Sequence, residues 1–443
     1  MAGLSMKAVV RRRTAFRVGV AAAVLAVALP AAAGGQEPVG MTLEEVIERA
    51  QQHSPQLAQA EGNLQLAGSA QRTAVGSFLP SLNLSSGASV ASTQRFDPTL
   101  GTSVSGSSDS YSAGLTSSID LFTGGRRTAE LARTRAQTDV SEAALIEQQY
   151  VVVRNAKAAY FDVLRGADLI RSADARLARA GQVLEAAERR AQVGSGTRSD
   201  VLRAQLEVTN SRQALLQASN QKRNAMYALG RLVGTDDPVD ARDPDPFQVA
   251  ALPYSRADLL AMTLGQAPAV VTALAGERAA DAAVRAARSQ YLPTLSGSGR
   301  YNWFNDEASF ANVQGSWSLG LSLSFPVFNR FQREESVERA RVQASIAGVQ
   351  LEDTRRLARA NLERVLGSLE TAAQQIELAQ QALEVAEEDL RVQQERYRLG
   401  VSTILDQVTS QENVVRAEAD LIAARYDYQL ARADLEALIG REL

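Results

Sequence analysis

The chain has 443 residues, 45% of them hydrophobic with much of that alanine, and only 5% aromatic, a balance suited to long, closely packed helices. It holds no cysteine and a single histidine, His53, which excludes disulfides, thiolate metal sites and cysteine nucleophiles and leaves histidine chemistry without material. The formal net charge is −3, and an acidic chain is a poor partner for nucleic acid.

Lys7, Arg11, Arg12, Arg13 and Arg17 precede an apolar run from Val18 to Leu29, and Ala31-Ala32-Ala33 offers a small-residue cleavage site. This is the pattern of an export signal over residues 1–33, too short in its apolar part to span a bilayer. Residues 1–33 carry five basic and no acidic side chains, so their removal would take the net charge from −3 to −8. No later stretch reaches eighteen consecutive apolar residues, so membrane passage by the mature chain would fall to strands.

From residue 34 the chain reads as one pattern written twice: a first repeat over 34–234, a connector over 235–254 and a second repeat over 255–443. Thr42-Leu-Glu-Glu-Val-Ile through Ser54-Pro55 has the signature of a capped short helix followed by a proline-started one, and Ser255-Arg-Ala-Asp-Leu-Leu through Ala267-Pro268 restates it 213 residues later. Helices are expected over about 42–76 and 255–289. Leu79-Pro80 and Leu292-Pro293 then turn helix into strand.

Strands are expected over about 80–122 and 293–328. Trp317, Leu319, Leu321, Leu323 and Phe325 alternate with Ser318, Gly320, Ser322 and Ser324; Leu82 to Val90, Tyr111 to Leu121 and Leu295 to Trp303 make three more segments of this kind. Such alternation fits either a half-buried soluble sheet or a membrane barrel with small polar residues towards a wet lumen. Segments of about ten residues favour the barrel. So do Tyr301, Trp303, Phe304, Trp317 and Phe328 near strand ends, expected as membrane-interface aromatics. The polar stretches Ser92 to Ser110 and Asn305 to Gly315 read as loops. Four strands cannot close a barrel, so copies must pool them: two would give eight strands and three twelve, and the pattern does not choose. The competing reading is an exported, soluble coiled-coil scaffold.

After the strands come helices over about 126–192 and 332–398, each followed by a returning helix, about 200–233 and 404–440. Leu362, Leu369, Ile376, Leu383, Leu390 and Tyr397 recur every seven residues, with Ala372, Ala379 and Ala386 three residues after three of them. Val163, Ile170, Leu177 and Leu184 occupy the same phase 206 residues earlier. Gly194-Ser195-Gly196-Thr197 and Gly400-Val401-Ser402-Thr403 supply the distal turns. Asp236-Asp237-Pro238, Asp243-Pro244 and Asp245-Pro246 argue against any regular element in the connector.

The duplicated helix–strand–strand–helix order, with Tyr397-Arg398-Leu399-Gly400-Val401-Ser402-Thr403-Ile404-Leu405-Asp406 and its counterpart from Ala191 to Asp200, resembles the TolC-like outer-membrane efflux proteins over Thr42 to Gly440. The resemblance implies a mixed α/β membrane protein acting as a homotrimer. Four strands per chain would build a shared 12-stranded β-barrel in outer-membrane lipid, continuous with a periplasmic α-helical coiled-coil barrel. It implies a passive exit duct, not an enzyme, without metal or cofactor. The duct would dock on a periplasmic membrane-fusion adaptor and an inner-membrane RND or ABC transporter, in drug, metal or polypeptide export. The tips would hold the closed entrance and the adaptor contact, formed here by Gly194, Thr197, Arg198, Asp200, Tyr397, Gly400, Ser402, Thr403, Asp406 and Thr409. Asp200, Tyr397 and Asp406 match the entrance network. Thr409 stands where many members have a second acidic residue, and Ser402 replaces an arginine for which Arg198 would partly substitute. Asp406→Ala with Tyr397→Phe is therefore expected to raise conductance.

Overall fold

Seven-residue apolar spacing and short glycine turns build the two longest elements, and the rest of the fold attaches to them. The computed structural model describes residues 39–97, 101–242, 249–305 and 314–443. The expected export signal, 1–33, and the centre of the expected loop between Asn305 and Gly315 lie outside the described residues. The first repeat runs β1 (Val39–Met41), α1 (Leu43–His53), α2 (Pro55–Gly76), β2 (Ser81–Asp97), β3 (Thr102–Phe122), α3 (Arg126–Gln192) and α4 (Arg198–Leu232). After β4 (Val239–Ala241) the order returns as α5 (Arg256–Gln266), α6 (Pro268–Arg288), β5 (Thr294–Asn305), β6 (Gln314–Ser324), α7 (Gln332–Arg398) and α8 (Ile404–Ile439). At 67 residues each, α3 and α7 are about 100 Å long.

Each long helix packs along its returning partner. On α7, Leu362, Val365, Leu366, Leu369, Ala372 and Ile376 are buried with Leu421, Ala424, Tyr428, Ala431 and Leu435 of α8. On α3, Val152, Ala156, Tyr160 and Val163 are buried with Met226 and Leu229 of α4, and with Val46 and Ala50 of α1. The two hairpins meet where α3 lies against α8, and this seam is charged. Arg154 bonds Asp434 at 2.6 Å, Arg179 bonds Glu418 at 3.2 Å, and Lys157 pairs with Glu436, both largely buried. Tyr426 donates its hydroxyl to Asp168 at 2.9 Å, and Gln411 donates to the carbonyl of Arg176 at 3.3 Å.

In its described part the connector departs from its expectation of no regular element, while Asp243-Pro244 and Asp245-Pro246 lie outside the described residues. Val239–Ala241 forms a strand parallel to Val39–Met41, in register Val39↔Val239 and Met41↔Ala241. Only three residues lie between Pro238 and Arg242, but Val239 and Met41 are both buried among α1, α3 and α4, so distant packing overrides local composition.

The larger sheet is antiparallel in the order β2-β3-β5-β6, with β2 and β6 as open edges. Its apolar side chains share one face: Leu84 pairs with Leu115, Leu115 with Tyr301, and Tyr301 with Trp317. Serine, glycine, Asn302 and Arg300 occupy the other. Ser92 to Ser110 is mostly strand rather than loop: β2 and β3 continue in register to Asp97↔Thr102. Cross-strand backbone pairing holds a serine-rich ribbon that side-chain alternation does not announce. Tyr301, Trp303 and Trp317 lie on the apolar face at the end away from the helices, and Phe328 follows β6 at the helix end. Phe304, one residue beyond Trp303, falls on the serine face opposite Gln314, so it cannot belong to the same belt.

Where strands give way to long helices, the two repeats use one device. Arg127 donates to the carbonyls of Ser77 (3.2 Å) and Leu121 (3.4 Å) and lies over the Phe78 ring at 4.9 Å. Arg333, 206 residues on, donates to Pro326 (2.9 Å) and Val327 (3.3 Å) and lies over Tyr291 at 5.0 Å. The preceding turn needs two left-handed residues: Gly124 and Gly125 in the first repeat, Arg330 (φ 58°) and Phe331 (φ 62°) in the second.

Candidate functional site: the paired helix turns

The far ends of both hairpins are self-contained turns. Gly194 (φ 76°) and Gly400 (φ 79°) end the long helices in the left-handed conformation, which glycine adopts without a Cβ penalty. The amides of Ser195 and Gly196 then close onto the Arg190 carbonyl at 2.9 and 3.0 Å, and Val401 onto Arg396 at 2.9 Å. Thr197 starts α4 as a capping box: its hydroxyl accepts from the Asp200 amide at 3.1 Å, while Asp200 accepts from the Thr197 amide at 3.0 Å. Thr403 and Asp406 repeat the arrangement at 3.3 and 2.9 Å. The Thr197 hydroxyl and its hydrogen-bond donation hold the Asp200 carboxyl below the ordinary value of 3.8, with Arg203 and Arg190 adding to the effect. The Thr403 amide, then its hydroxyl, does the same for Asp406.

Arg190 joins the two turns. Its guanidinium donates to the Tyr397 carbonyl, which also accepts the Gly400 amide at 3.0 Å, and lies over the Tyr397 ring at 4.5 Å. Beneath this contact Val183, Ala187 and Ala204 of the first hairpin are buried with Tyr397 and Ile404 of the second. Burial raises the Tyr397 hydroxyl above its usual 10.0; Arg190 opposes the shift and Asp200 adds to it.

The structure thus brings Arg190, Asp200, Tyr397 and Gly400 together, but Asp406 stays within its own capping box. Ser402 reaches the Gln393 carbonyl at 3.5 Å. Arg198 and Thr409 are exposed and make no hydrogen bond or ion pair among the described residues. Arg190 escaped the sequence reading, although a signal existed: Arg190 and Arg396 stand ten residues before Asp200 and Asp406, one per repeat. Among the described residues no group of three His, Asp or Glu side chains could hold a metal ion.

Comparison with known proteins agrees over nearly the whole chain. A sequence profile for outer membrane efflux protein matches residues 46–235 and 259–441, one match per repeat. Protein CyaE of Bordetella pertussis is 31% identical over 412 residues, covering 89% of this chain and 81% of that protein. The outer membrane protein TolC of Vibrio cholerae is 25% identical over 407 residues, covering 90% of each. In fold, the chain is similar to the Campylobacter jejuni CmeC outer membrane channel, with a TM-score of 0.78 at 19% identity over 90% of this chain and 85% of that one. Matched in both halves by one profile, and carrying the duplicated hairpins described above, the chain belongs to the outer membrane efflux protein family.

Proposed function

We propose that three copies pool their sheets into a twelve-stranded barrel and their hairpins into a periplasmic tunnel, forming a passive exit duct for efflux or type I secretion. The observation that carries this reading is the sheet itself. Leu319, Leu321 and Leu323 are 79%, 74% and 70% exposed on one face, Leu82 and Leu84 each 71%, and both sheet edges are open. A stripe this apolar is unstable in water, and open edges are unstable in lipid; lipid covers the stripe, and joining β6 of each copy to β2 of the next pairs the edges. The outer-membrane location of the family supplies the lipid.

In this arrangement β2, β3, β5 and β6 lie in the outer membrane, and β1 and β4 brace the helices near mid-length. The β2–β3 ribbon, at 17 and 21 residues, extends beyond the roughly ten residues a tilted span requires and projects outward. Tyr301, Trp303 and Trp317 mark the outer interface and Phe328 the periplasmic one. The turns around Gly194 and Gly400 form the entrance and the surface for a periplasmic adaptor. Export energy comes from the RND or ABC transporter that the adaptor bridges.

Purified protein tests this in two ways. It should migrate as a heat-dissociable trimer and insert single conducting pores into planar bilayers. Monodisperse monomer without conductance would refute it.

A further inference from the structure

The duplication gives a template for the join between copies. Inside the chain, strand β3 of the first repeat pairs with β5 of the second, and the turn after β3 sits on the residues before β5. A Cβ on Gly124 would fall 2.4 Å from the Leu292 Cβ and 3.1 Å from the Ser289 carbonyl, so this seat requires glycine on contact as well as on φ. Shifting each side by the repeat offsets turns β3–β5 into β6 of one copy against β2 of the next. Gly124 and Gly125 become Arg330 and Phe331, and Leu292 becomes Leu79 of the next copy.

The equivalent seat therefore cannot be reproduced between copies, because Arg330 brings the Cβ that Leu292 excludes. The second-repeat turn also keeps two side chains in a conformation that costs about 1–3 kcal/mol per residue, where the first repeat shows that glycine serves. Phe331 is 67% exposed, touching Phe328 edge-to-face at 5.5 Å, and Arg330 makes no hydrogen bond or ion pair among the described residues. On the matching surface Leu79 is 68% exposed, and Phe78, with Arg127 over one face of its ring, keeps 38%.

We propose that Arg330 and Phe331 of one copy seat against Phe78 and Leu79 of the next, forming an aromatic and basic wedge at the periplasmic end of the barrel. This join is not interchangeable with the glycine seat inside the chain. The inference rests on the β6–β2 closure under Proposed function. The wedge distinguishes the join between copies from the join within a copy, so strands of the two repeats are not mispaired when copies meet.

Engineered cysteines test it cleanly in a chain that has none. Leu79→Cys with Arg330→Cys, mapped from the Gly124–Leu292 contact, reports the wedge. Ser86→Cys with Leu323→Cys, mapped from Ser117↔Gly299 of the β3–β5 register, reports strand closure alone. Under mild oxidation in outer membranes, both double variants should give disulfide-linked dimers and trimers. Bridging of 86–323 without 79–330 overturns the wedge and leaves the barrel intact, with Phe331 then facing lipid. Bridging of neither overturns the closure itself. As a second readout, Arg330→Gly with Phe331→Gly relieves strain within each chain yet should lower the temperature at which the trimer dissociates in detergent. An unchanged or raised temperature counts against the wedge.

Discussion

Replacing Arg190 by methionine tests the link between the two turns. Methionine keeps the unbranched stem but removes the charged hydrogen bond to the Tyr397 carbonyl and the cation over its ring. A hydrogen bond from a charged donor contributes about 1.5–3 kcal/mol and a cation–π contact about 0.5–2. Arg190 is half-buried, which places their sum near the lower end, about 2 kcal/mol per chain. If this link holds the tip closed, its loss shifts the closed–open balance about 30-fold per chain. Open-state occupancy of single pores in planar bilayers measures that shift directly. Tyr397→Phe should change occupancy far less than Arg190→Met, because the link uses the carbonyl and ring face and leaves the hydroxyl aside. This differs from the sequence reading, in which Tyr397→Phe and Asp406→Ala together open the pore. Equal occupancy in Arg190→Met and the parent, or an equal rise with Tyr397→Phe, would refute the reasoning.

Thr197→Ala removes the hydroxyl of a capping box and should destabilise the start of α4 by about 1 kcal/mol, read as faster amide exchange over Arg198 to Val201 with α8 unaffected. Asp200 and Asp406 have depressed folded-state pKa values, so their contribution is present above the ordinary 3.8 and is lost as pH falls through the folded values. Protease sensitivity at both turns should therefore rise only below about pH 3.8, and a rise near neutrality would contradict this assignment. Lys157→Met leaves the buried Glu436 carboxylate with Arg432 at 3.7 Å and the Leu443 amide at 3.3 Å and should cost about 1–3 kcal/mol, with partial recovery when Glu436→Gln is added; thermal unfolding of the purified protein reads both. Leu435→Ala, at a fully buried α8 position, should cost about 2–5 kcal/mol by the same measurement without altering conductance at the tip.

The architecture was readable where information is local and periodic. Heptad spacing on Leu362 to Tyr397 and strict alternation on Trp317 to Phe325 each carry a fixed geometric period, and the second copy doubled the signal. Long-range events were unreadable for the opposite reason. The strand at Val239 exists because Val39 arrives from two hundred residues away, and the β2–β3 ribbon persists through serine and threonine because its partner backbone is in register. Arg190 reaches a carbonyl on the other hairpin, a contact that no helical periodicity encodes. Arg330 and Phe331 adopt a conformation that sequence rules reserve for glycine, so only comparison with Gly124 and Gly125 exposes them.

The two capping boxes carry a mechanical consequence. Each turn is closed by hydrogen bonds drawn from its own hairpin, so bending it means breaking caps at both helix ends at once. Widening the duct by melting its turns is therefore the costly route. A motion that leaves every turn folded keeps all of those hydrogen bonds.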